Sequence, residues 1–140
     1  MNSKKQFGDL IIGIDKQIKM NIERDLKQYE IGIGLLQILL YLFSNADQSV
    51  SQIDLVKFLK IDKGNISRSI AKLIDRDYLE QDPKNPKAYK LSKKGFQLQD
   101  VIISKFTNLN QTMMKGINEA DLNTTINTLN IVMNNLENLK

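Results

Sequence analysis

The chain of 140 residues contains no cysteine, no histidine and no tryptophan, and only two prolines. Without cysteine there are no disulfide staples, no thiol sensor and no cysteine nucleophile. Without histidine, the commonest general base and the commonest transition-metal ligand are missing together. No apolar run reaches the roughly 18 residues needed to span a bilayer, and the polar residues 1–6 are unlike a signal peptide. A glycine-rich phosphate cradle and a persuasive carboxylate constellation are also missing. The expectation is a cytoplasmic, non-enzymatic protein that uses no cofactor and no metal. Its length suits one domain with helical extensions, small enough to gain stability by oligomerising.

Positive charge is present, and it is localised. Residues 60–96 hold ten Lys/Arg against five Asp/Glu, a net of +5, whereas the whole chain carries +4; the remainder is therefore −1. A basic block of this kind points to a polyanionic partner, nucleic acid before an anionic membrane.

Apolar periodicity predicts a long amphipathic helix over residues 7–29 (Phe7, Leu10, Ile11, Ile14, Ile18, Ile22, Leu26). Residues 30–34, with two glycines, are expected to break it. LLQILLYLF, residues 35–43, is apolar nearly all round and predicts a buried central helix. After a polar loop, Ser51 and Asp54 resemble a capping box for a short helix burying Ile53, Val56, Leu59 and Phe58. Asp62 then caps a second helix, with Ile66, Ile70, Leu73 and Ile74 on its inner face. At about 100° per residue, Gly64, Asn65, Arg68, Ala71, Lys72 and Asp75 share its outer face. Asp77 is a candidate left-handed stop.

Residues 78–82 and 87–91 form two extended pieces joined by DPKNPK, a turn signal that makes them a hairpin with a lysine-bearing tip. Ser92 is expected to cap a long helix burying Phe96, Leu98, Val101, Ile102, Phe106 and Leu109. A last helix from Glu119 repeats Leu122, Ile126, Leu129, Met133, Leu136 and Leu139. The fold class is therefore mainly α with a small β wing. A short helix, a tight turn, a helix with a polar outer face and a basic hairpin compose a winged helix-turn-helix.

Residues 51–95, above all IDKGNISR (61–68), DYLEQ (77–81) and KAYKLSKKG (87–95), resemble the winged-helix core of the MarR family of bacterial transcriptional regulators. The resemblance implies a single MarR-like domain over residues 1–140, with dimerisation helices at 1–30 and 100–140 and a DNA-binding lobe at 31–99. It implies a homodimer on a pseudo-palindromic duplex operator, acting as a repressor that a small aromatic effector modulates, and no membrane. Where many members carry Asp-x-Arg in the wing, this chain has Asn85-Pro86-Lys87, and Gln81 stands where many place a basic residue. Lysine lacks the planar guanidinium suited to a narrow groove, so a less discriminating and more salt-sensitive wing contact is expected. A winged-helix adaptor for an acidic protein is the alternative.

The expected DNA contacts are Ser51 and Gln52 at a helix start, Lys63, Gly64, Asn65, Ser67, Arg68 and Lys72 on the recognition helix, and Lys84 and Lys87 on the wing. Arg68 lies at the centre of the outer face, and Gly64 and Asn65 keep its leading turn thin for close approach to groove edges. Tyr29 and Tyr41 are candidate effector contacts. The terminal apolar stripes fit an intersubunit core; the acidic balance outside the basic block argues against a membrane-surface helix.

Overall fold

A computed structural model describes residues 3–139. Six helices and three strands follow in the order α1 (Ser3–Leu26), α2 (Ile33–Ser44), β1 (Val50–Ser51), α3 (Gln52–Leu59), α4 (Lys63–Asp75), β2 (Leu79–Asp82), β3 (Asn85–Leu91), α5 (Lys93–Met114) and α6 (Glu119–Glu137). They divide into two compact units, Met1–Lys105 and Phe106–Lys140, with the boundary inside α5.

Three helical segments end on left-handed residues that are not glycine: Glu30, Lys60 and Asp77 have φ of 60°, 55° and 64°. Two of these stops are Schellman motifs. Tyr78 donates its N–H to the Leu73 carbonyl and Asp77 to that of Ile74, while Ile31 donates to Leu26 and Glu30 to Lys27. In each, the residue after the stop is buried, Tyr78 and Ile31 respectively. That burial offsets the steric cost, about 1–2 kcal/mol, of a left-handed residue bearing a Cβ. The break after α1 therefore belongs to Glu30, following a 3-10 turn at Lys27–Tyr29, and not to the glycines. Gly32 is the extended N-cap of α2 and Gly34 lies within that helix.

The core of the first unit is built around α2, whose Leu36, Ile38, Leu39 and Leu42 are almost wholly buried. Against it pack α3, which buries Leu55, and α4, which buries Ile66 and Leu73; Ile102 of α5 is also wholly buried. The sheet has the antiparallel order β1–β3–β2. The two-residue β1, which no pattern in the chain announces, pairs Val50 with Tyr89 and Ser51 with Ala88.

Four expected core residues are exposed. Ile53 and Phe58 of α3 are 73% and 66% accessible, Phe96 of α5 is 42%, and Ile74 of α4 is 37%. On α3 the inner arc belongs to Leu55, Val56 and Leu59, with Ile53 and Phe58 opposite. Eight residues with apolar groups in both directions carry no periodicity strong enough to choose between the faces. Val101, Phe106 and Leu109 are half-buried.

Ser92 caps α5 as expected, its Oγ accepting the Gly95 N–H at 3.0 Å. A Cβ on Gly95 would lie 2.3 Å from the Tyr78 carbonyl oxygen, so this turn can approach the end of α4 only as glycine.

Candidate nucleic-acid interface

The first turn of α4 is a hydrogen-bonded ladder. Asp62 Oδ1 accepts the Asn65 backbone N–H at 2.9 Å, capping the helix. Asp62 Oδ2 accepts from Asn65 Nδ2, and Asn65 Oδ1 accepts from Arg68 Nη2. The Asn65 N–H, with lesser help from the Asn65 amide and the Arg68 cation, holds the Asp62 carboxyl below its ordinary value against a smaller opposing effect of desolvation. The Arg68 guanidinium lies over Gly64: a Cβ there would be 3.2 Å from Nη1 and 3.3 Å from Asp62 Oδ1. Gly64 thus has an intramolecular role, leaving room for an arginine folded back along its own helix. Ser67, Arg68 and Lys72 are all exposed.

Beside this turn lies a mostly apolar trough of about 540 Å³, lined by Ser51, Gln52, Ile53, Val56, Lys57, Lys63 and Lys87. It gathers four of the expected contact residues from three elements: the start of α3, the start of α4 and the wing. Ser51 caps α3 by accepting the Asp54 N–H at 3.1 Å, and Gln52 Nε2 donates to the Lys63 carbonyl at 3.4 Å. Sequence reasoning missed Ile53, Val56 and Lys57 here. It assigned the first two to the core, and only the inward turn of Leu55 frees Ile53 for this wall.

The wing is set by its own side chains. Asp82 Oδ1 accepts the Lys84 N–H at 2.8 Å and Asn85 Oδ1 accepts that of Lys87 at 3.0 Å. Such Asx-type bonds fold a tip without a strand ladder. β2 and β3 stay in register from Leu79↔Leu91 to Gln81↔Tyr89, then slip before Asp82↔Asn85. Across the slip Gln81 Nε2 donates to the Pro86 carbonyl at 3.1 Å. The Ser49 hydroxyl donates to Asp82 Oδ2, and this bond is the main reason the Asp82 carboxyl is held low. Lys84 and Lys87 project from the tip, exposed.

The two tyrosines occupy different settings. Tyr41 packs against Phe58 with the rings tilted by 46° and their centroids 4.5 Å apart, in a hollow of about 530 Å³ shared with Gln37, Leu40, Ser44, Asn45 and Leu59. Tyr29 ends the 3-10 turn, where its carbonyl accepts the Tyr78 hydroxyl at 2.9 Å. No helix among the described residues is long and apolar enough to cross a membrane, and those residues hold no metal-ligating cluster.

A tri-helical core, a helix-turn-helix and a three-stranded antiparallel wing define a winged helix-turn-helix protein. Residues 36–86 match the model of the MarR family. It is 25% identical over 127 residues to the HTH-type transcriptional regulator BilQ of Clostridioides difficile (strain CD3), covering 88% of this chain and 84% of that one. A MarR transcriptional regulator from Methanosarcina mazei Go1 shares its fold with a TM-score of 0.78 and 24% identity, covering 99% of this chain and all of the other. MepR of S. aureus, in a structure with DNA, superposes with a TM-score of 0.74 and 20% identity, covering 91% and 94%. The first two of these relatives are transcriptional regulators.

Proposed function

We propose that the protein is a homodimeric, sequence-specific duplex-DNA-binding regulator of transcription, a cytoplasmic repressor modulated by a small aromatic effector. The observation that carries this reading is the trough. Its apolar floor suits the sugar edge of a nucleic-acid strand, and Lys57, Lys63 and Lys87 on its rim suit the flanking phosphates. Arg68 on the adjoining turn is the base-reading side chain, with Asn65 and Ser67 beside it and Lys72 and Lys84 as phosphate contacts. The DNA complex of MepR, on the same fold, supports this assignment.

In this reading, residues 31–99 are the DNA-binding lobe, and residues 1–30 and 100–140 supply the dimer contacts. Support comes from exposed apolar residues at helical spacing: Phe7, Leu10 and Ile14 on α1, and Ile126, Leu129, Met133 and Leu136 on α6. The hollow bearing Tyr41 and Phe58 is the effector candidate in the lobe. Tyr29 is a second candidate contact, away from that hollow.

The test is selection of bound duplexes from a random pool, repeated with aromatic ligands. A pseudo-palindrome with half-site centres roughly 10 base pairs apart, or a near multiple, is expected. On the selected duplex Arg68→Ala should cost about 1–3 kcal/mol. Lys87→Ala should weaken binding to all sequences and reduce the salt slope by about 1. A pool that yields no enriched duplex, with binding only to an acidic protein, would replace this reading by the adaptor.

A further inference from the structure

We infer that Asp62 is a positioning residue for base readout, acting through Asn65 to set the guanidinium of Arg68 above Gly64. The inference rests on the proposed DNA-binding role and concerns a residue outside the expected contacts.

A helix cap requires one side-chain oxygen, and Asp62 Oδ1 supplies it to the Asn65 N–H. Its second oxygen is surplus to capping and takes the Asn65 amide instead. With Nδ2 committed to a carboxylate, Oδ1 of Asn65 must face the other way, where it receives Arg68 Nη2. The opposite amide orientation would set an NH₂ group against a guanidinium, donor against donor. The carboxylate therefore selects the orientation, and the orientation places the arginine. The bare Gly64 leaves the space that the guanidinium fills, since a Cβ would stand 3.2 Å from Nη1. One arginine N–H is used internally, and four of its five donors are left for a base edge. An arginine held this way loses less side-chain freedom on binding than a free one. The carboxylate also sits exposed on the outer face, where it repels phosphates that Arg68 does not pair. It thus raises selectivity in two ways: it aids the correct site and penalises indiscriminate contact.

Asp62→Ser separates this role from capping, because serine caps as well as aspartate but has a single oxygen and no charge. The expected result on the selected duplex is an affinity loss of about tenfold. Affinity for random duplex should rise, and the melting temperature should stay close to that of the unaltered protein. A purely structural role would move both affinities the same way. Asn65→Ala, which keeps the backbone cap but removes the link together with any contact Asn65 makes itself, should lose at least as much on the selected site. With Arg68→Ala already present, Asp62→Ser should cost nothing further on that site. Unaltered affinity of Asp62→Ser or Asn65→Ala for the selected duplex would overturn the inference, as would losses that multiply with Arg68→Ala. Failure of the DNA-binding reading shows separately, as unaltered protein that enriches no duplex, and takes the inference with it.

Discussion

The helices α2 and α6 are both rich in leucine and isoleucine, yet they end in opposite environments. Five of the twelve residues of α2 are buried, whereas α6, with nineteen, buries none. In the lobe the apolar surface of α2 meets α1, α3 and α4 of the same chain. On α6, Ile126, Leu129, Met133 and Leu136 remain 46–60% accessible along one side of the helix. Helical spacing announces an apolar stripe in both cases and leaves open what covers it. The lobe closes over its own core, and the C-terminal helix presents a surface suited to a second copy.

The sharpest way to break this contrast is to charge the α6 stripe. Ile126→Asp combined with Leu129→Asp should weaken self-association roughly a hundredfold or more, since unpaired carboxylates would have to enter an apolar interface. Sedimentation should then report one chain in place of the two of the proposed dimer, and an unaltered mass would show that such a dimer does not cover the stripe. In the lobe the equivalent test is Leu39→Ala, at a fully buried position, with an expected loss of about 2–5 kcal/mol in denaturant unfolding. A loss near zero would mean that α2 is not the centre of the core.

Two glycines sharpen the contrast on a finer scale. Gly95→Ala places a Cβ 2.3 Å from a backbone carbonyl and should destabilise by about 1–3 kcal/mol. Gly64→Ala meets only side-chain atoms and should stabilise the helix by up to about 1 kcal/mol. The smallest effect concerns pH. Burial, reinforced by the Glu30 charge, raises the Tyr78 hydroxyl above its ordinary value of 10.0. The folded state therefore holds that proton more tightly than the unfolded chain. Its stabilisation is complete below pH 10 and is lost as pH rises through the folded-state value. Tyr78→Phe should cost about 1 kcal/mol at neutral pH through its lost bond to Tyr29, and should flatten the alkaline decline followed by circular dichroism.

Much of the lobe was legible before any coordinates. The caps at Ser51, Asp62 and Ser92, the stop at Asp77 and the proline-bearing wing all depend on side chains acting within a few residues of themselves. Such local bonds leave a local signature. The outer face of α4 was legible for the same reason, because thirteen residues span enough turns for the periodicity to be unambiguous. The strand β1 left no signature, since two residues beside a loop become a strand only when β3 arrives to pair with them. Phe96 and Ile74 are apolar and regularly spaced, which predicts inner positions, yet both are exposed.

By itself the sequence determined the order of the helices and the wing, the caps at Ser51, Asp62 and Ser92, the stop at Asp77, the exclusion of thiol and imidazole chemistry, and the basic block that holds α4 and the wing. These follow from short-range bonding, composition and periodicity, which are properties of the chain alone. Tertiary structure decided which side of α3 faces the core, and so put Ile53 on a trough shared with Lys63 and Lys87 instead of inside. It also gave Gly64 its use, as the space beneath the Arg68 guanidinium. Both outcomes depend on where side chains from different turns and elements meet, and one-dimensional spacing does not specify that.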